Sequence, residues 1–168
     1  MLICIMVIAL TVIADQASKL LVIRFLDKSH PFDIIPGVFR FSYVENRGAA
    51  FGMLDEHRWV FMIVSVVAIV AIFIYLWKFA PKSKFLTVGL SLVIGGGIGN
   101  MIDRVAYGYV VDFLDFCAFP TLWRWVFNVA DACVCVGAAI VMIYLVIDIV
   151  KDEKKEKLEK NGQKTENN

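Results

Sequence analysis

Charge is scarce in this chain. Asp, Glu, Lys and Arg make up 20% of its 168 residues and hydrophobic residues 60%, where soluble domains average roughly 25% and 45–50%. A mean hydropathy of +0.72 points the same way, toward a membrane protein. These figures exclude intrinsic disorder, a collagen-like repeat and a disulfide-stapled miniprotein. The net charge of +1 gives no electrostatic case for binding nucleic acid. Cysteine is sparse and badly spaced for chemistry: Cys4, Cys117, Cys133 and Cys135 form no CxxC. Cys133 and Cys135 would point in different directions on a helix, which suits neither a redox pair nor a zinc site. They read as small apolar packing residues. The two histidines, His30 and His57, form no HExxH pair, which argues against a metal enzyme. There is no internal repeat and no sign of a second domain.

What is present is apolar sequence in long runs. A helix needs about 20 apolar residues to cross a bilayer. Trp59–Trp77 is 19 residues without a charge, and Phe85–Ile102 is 18. Val126–Ile147 is 22 residues with one charge, Asp131, and Met1–Ile23 is 23 residues carrying Asp15 and Lys19. The first run lacks a basic start and a small-x-small cleavage site, so it is expected to be a retained helix. Four spans at about 1–23, 59–77, 85–102 and 126–147 make one four-helix transmembrane domain over 1–150, with a charged tail over 151–168. Lys78, Lys82 and Lys84 fall within seven residues, and the tail holds six lysines in 18. The two longer loops, 24–58 and 103–125, hold seven basic residues in 58. Positive charge marks the cytoplasmic side, so both termini are expected inside and the longer loops outside. The tail is expected to be a solvated end that touches anionic lipid.

In the first outer loop, Phe39, Phe41 and Tyr43 alternate with Arg40, Ser42 and Val44. That period of two predicts a short half-buried strand, preceded by a turn at Pro36-Gly37. In the second, Trp123 and Trp125 bracket Arg124, a pattern suited to the membrane interface.

The informative residues are polar ones at the span ends, because an ionisable group inside a bilayer costs about 2.5–3.5 kcal/mol on insertion scales. Asp15 and Lys19 meet at i,i+4 on one helix face. An interfacial ion pair with Lys19 snorkelling explains them as well as a site does. Gly95 and Gly99 form a GxxxG that lets helices approach closely. Asn100, Asp103 and Arg104 share one face beyond it, and a solvated helix end fits Asp103 better than Asn100. Asn128 and Asp131 share a face at the start of the fourth span, and Asp112 lies among apolar neighbours upstream. The orientation puts Asp15, Asn100, Asp112 and Asp131 at one membrane surface. Two acids in low dielectric tend to share a single proton, the state that lets a carboxylate activate water while a carboxylic acid protonates a carbonyl. A proton-coupled transporter or channel subunit would also use such acids, although it would want them near mid-membrane and often in repeated halves. The GxGD motif of another intramembrane protease class is absent.

The ordered series Asp15-Gln16-Ala17-Ser18-Lys19, Asn46-Arg47-Gly48-Ala49-Ala50-Phe51-Gly52, Gly99-Asn100-Met101-Ile102-Asp103-Arg104, Val110-Val111-Asp112-Phe113 and Phe127-Asn128-Val129-Ala130-Asp131 resembles lipoprotein signal peptidase, the signal peptidase II family. The resemblance covers about residues 10–150. It implies an all-α integral membrane protein: four transmembrane helices, a small extracytoplasmic β-cradle over about 31–52, and a short outer helix or lid near 118–125. It implies an intramembrane aspartic endopeptidase of the bacterial cytoplasmic membrane that cuts prolipoproteins before a diacylglyceryl-modified cysteine. The catalytic acids would be Asp112 and Asp131. Asp15, Lys19, Asn46, Gly48, Ala49, Asn100, Arg104 and Asn128 would bind substrate or order the site. No metal or organic cofactor is implied. The implied partners are lipidated precursors, membrane lipid and the cyclic peptide inhibitor globomycin, acting on a monomer.

Overall fold

The computed structural model describes residues 1–48, 58–79, 81, 83–118 and 125–166, without the side chains of 58, 61 and 156–166. Its elements run α1 (Leu2–Phe25), β1 (Phe32–Ile35), β2 (Phe39–Asn46), α2 (Arg58–Phe79), α3 (Lys84–Ala106), β3 (Val110–Phe116), β4 (Val126–Phe127) and α4 (Val129–Glu166). Among the described residues these include four helices long and apolar enough to cross a membrane. Many of their large apolar side chains, such as Leu10, Val67 and Met142, are exposed, as they must be where lipid replaces water as the surrounding solvent.

α3 is the central helix and packs against α1, α2 and α4. Glycine makes this possible. A Cβ on Gly95 would meet the Thr11 side chain at 2.7 Å, and one on Gly99 would meet the Asp15 carboxylate. The GxxxG face therefore receives α1. Gly96 presses against the Ala130 backbone and Gly89 against Ile140, so the adjacent face receives α4. With hydrocarbon on the outside, close backbone approach and polar contacts rather than water exclusion hold such helices together.

The strands form one antiparallel sheet in the order β1-β2-β3-β4. They belong to the α1–α2 and α3–α4 connections, so the sheet lies across one end of the helices. The α2–α3 link and the far end of α4 lie at the other. The strand expected at Phe39–Val44 is present as part of β2 and is half-buried from Phe39 to Tyr43. Ser42 is its buried residue, turned inward with Arg40 to Asp115 of β3 (Ser42 Oγ to Asp115 Oδ2, 2.8 Å; Arg40 Nε to the same oxygen, 2.7 Å). Val126 and Phe127, expected to open the fourth span, pair instead with Asp115 and Leu114 as β4. α4 begins at Val129 and continues unbroken through the charged segment expected as a solvated tail. The expected lid falls largely on residues 119–124, outside the described residues.

Candidate active site

Asp112 and Asp131 come from different elements and line one cleft of about 620 Å³, together with Asn46, Asn100, Arg104, Val110, Trp125, Phe127 and Cys135. β3 places Asp112. Its register sets Asp112 opposite Val44 and Val110 opposite Asn46. The end of β2 thereby brings the Asn46 amide to Asp112 Oδ2 at 2.8 Å. The Asn46 oxygen accepts the Gly48 N–H at 3.2 Å, so the donor end of that amide must face the acid. Ala49, expected beside Gly48, lies outside the described residues.

Asp131 is placed by a helix cap. Asn128 is the residue before α4 rather than part of its face. Its Oδ1 accepts the Asp131 N–H at 2.9 Å, and Asp131 Oδ2 accepts the Asn128 N–H at 3.3 Å. This reciprocal pair satisfies two amides that a helix start leaves open, and the positive end of the helix dipole favours a carboxylate there. The same Asn128 donates from Nδ2 to Asp112 Oδ1 at 2.6 Å. One residue thus hydrogen-bonds both acids. Among the described residues neither acid forms an ion pair. Burial pushes the Asp112 carboxyl from its ordinary 3.8 up to about 7; the Asn46 hydrogen bond opposes this and the charge on Asp131 adds to it.

Behind the cleft lies a buried charged network. Lys19 Nζ contacts Asp15 Oδ2 at 2.8 Å, Asp103 Oδ2 at 2.9 Å and Asn100 Oδ1 at 3.0 Å. All three ammonium donors are therefore used. Asp15 Oδ1 accepts the Ala130 N–H at 2.9 Å, tying α1 to the start of α4. Asp103 Oδ2 accepts the Val111 N–H at 3.0 Å, tying α3 to β3. Asn100 donates to Asp131 Oδ1 at 2.7 Å. Arg104 is half-buried at the cleft, with a 3.4 Å bond to the Asn100 carbonyl.

Two expectations about this region are corrected. Asp103 is no solvated helix end: it is fully buried, because it faces α1 and anchors Lys19. Lys19 does not snorkel: only 2% of it is exposed, since two carboxylates and an amide meet its charge inside the protein. Gln16 was not singled out as a site residue, yet its Nε2 reaches Asp15, Asp103 and the Gly99 carbonyl at 2.9–3.1 Å. Asp103 carried a signal that could have found it, namely its place four residues after Gly99 on the face that receives α1.

Comparison with known proteins places the chain in a family. The profile of the family described as signal peptidase (SPase) II matches residues 7–147. The lipoprotein signal peptidase of Halothermothrix orenii is 44% identical over 139 residues, covering 83% of this chain and 92% of its own. That of Clostridium acetobutylicum is 40% identical over 152 residues, covering 90% and 97%. A solved structure of a bacterial membrane enzyme, 32% identical, superposes with a TM-score of 0.80 over 87% of this chain and 88% of its own. The chain belongs to the signal peptidase II family, and is a membrane protease of that family.

Proposed function

We propose that this protein is an intramembrane aspartic endopeptidase that removes the signal peptide of prolipoproteins, cutting before the diacylglyceryl-modified cysteine. The observation that carries the aspartic mechanism is the pair Asp112 and Asp131, brought to one cleft and both held by Asn128. Two acids sharing one proton supply a base and an acid at once. The carboxylate takes a proton from water, whose oxygen adds to the scissile carbonyl carbon. The carboxylic acid protonates the carbonyl oxygen. In the tetrahedral intermediate a proton passes to the amide nitrogen, and the C–N bond breaks. The products are a new carboxyl terminus on the signal peptide and a free amino group on the lipidated cysteine. Asn46 lines the cleft beside Asp112, and Arg104 and Asn100 offer donors to an extended substrate backbone.

The substrate class is supported by the names of the relatives and by position. The cleft opens at the sheet end of the helices, where a precursor's acyl chains stay in the bilayer and anchor it at about 0.8 kcal/mol per buried methylene. The lysine distribution supports a bacterial cytoplasmic membrane topology with both termini inside and the cleft near the outer surface. The chain acts as a monomer without a cofactor, and globomycin blocks it. The test is cleavage of one lipobox peptide, with and without the diacylglyceryl group, by protein purified in detergent. We expect a single cut before the cysteine in the lipidated peptide only, unaffected by EDTA or 1,10-phenanthroline. Equal turnover of the unlipidated peptide overturns the substrate assignment, and a loss restored by zinc overturns the mechanism.

A further inference from the structure

The hydrogen-bond directions between Lys19 and the two acids run one way. An ammonium only donates, so the Asn100 side chain must turn its oxygen to Lys19 and its NH₂ to Asp131. That oxygen also accepts from Asn128 Nδ2 at 3.0 Å. The Asn128 amide must therefore point its NH₂ inward, where its second N–H meets Asp112. An amide can flip and a carboxyl can rotate, but Lys19 can do neither. Asp15 and Asp103 hold it from α1 and α3, and it is 2% exposed.

We propose that Lys19 is a positioning residue for the reaction: its fixed ammonium sets the orientation of the Asn100 amide, which presents its donor to Asp131 and, by accepting from the Asn128 amide that the Asp131 N–H already caps, helps to hold the Asn128 donor on Asp112. This rests on the assignment of those acids as the catalytic pair. The charged groups around the pair are Asp15 and Lys19 on α1, Asp103 and Arg104 on α3, Asp112 on β3 and Asp131 on α4. β2 contributes the neutral Asn46, and Cys135 of α4 lines the cleft. Lys19 touches neither acid in the structure; it acts on them through the Asn100 and Asn128 amides and through the attraction of its charge.

The test removes the cation together with one or both of the carboxylates that pair with it. Lys19→Met with Asp103→Asn keeps the local net charge, and Asn at 103 can still accept from Val111. The neutral triple Asp15→Asn, Lys19→Gln, Asp103→Asn is the second variant. Each is assayed on lipidated peptide across pH, per mole of enzyme shown folded by thermal melt. Asp112→Asn and Asn100→Ala are run alongside. We expect kcat to fall about tenfold or more with KM little changed, and the low-pH limb of kcat to move upward by about 0.5–1 unit. Adding Asn100→Ala to the Lys19 variant should cost little more, because the two act through one path. A folded variant with parental kcat and an unmoved profile overturns the proposal. So does full additivity with Asn100→Ala, or failure of both variants to fold, which would make Lys19 a structural residue. An active Asp112→Asn enzyme instead overturns the catalytic pair itself, whatever Lys19 does.

Discussion

At the scale of single residues, the cleft buries Asp112 and surrounds both acids with hydrogen-bond donors. Asp112 is 1% exposed, and its carboxyl is held near 7 rather than 3.8. Between about pH 4 and 7 the folded protein therefore binds more protons at this position than the unfolded chain does. Stability is expected to fall as pH rises through that window and to level off above it, at up to about 1.4 kcal/mol per unit. Asp112→Asn should flatten that slope, which thermal melts in detergent at pH 4.5 and 7.5 will show; an unchanged slope would mean that another group causes it. Most of these residues were legible in the sequence because polar groups stand out against apolar spans. Asp15, Asn100, Asp112, Asn128 and Asp131 all gather at one site. Asp103 was misjudged because helix position alone does not say whether a terminal acid meets water or a buried cation.

At the scale of elements, the glycines of α3 decide where the acids sit. Gly96 presses on the Ala130 backbone, one residue before Asp131. Gly96→Ala would push α4 off α3 at the point that carries the acid, with rigid backbone unable to give way. We expect a destabilisation of about 1–3 kcal/mol and a loss of turnover larger than the loss of folded protein, measured by melt and assay on one preparation. Activity in proportion to folded protein would show that the spacing of α3 and α4 tolerates a methyl group. The helices were legible from run length, and β2 from its period of two. β3 was not, because Val110, Val111, Asp112 and Phe113 are all buried, so no alternation marks the strand. β4 was hidden inside an apolar run that reads as helix until the Asn128 cap is recognised.

At the scale of the whole molecule, a sheet and two buried acids lie at one end of four helices in a membrane protease of the signal peptidase II family. Orientation is tested by single cysteines in a cysteine-free background. Asp33→Cys on β1 should react with an impermeant maleimide on intact spheroplasts, and Lys84→Cys only after permeabilisation; the reverse pattern would put the cleft on the cytoplasmic face. The architecture was legible as four spans because bilayer thickness fixes helix length. The joining of the α1–α2 and α3–α4 connections into one sheet was not, because strand pairing across the chain leaves no local trace. The central claim is that Asp112 and Asp131 together perform the hydrolysis. It is tested most directly by turnover of the lipidated peptide by Asp112→Asn and Asp131→Asn, each normalised to folded, membrane-inserted protein. Each substitution keeps the size of the side chain and removes its proton chemistry, so each should lower turnover by about a hundredfold or more while the protein stays folded. Substantial turnover by either variant at normal folded levels would contradict the claim.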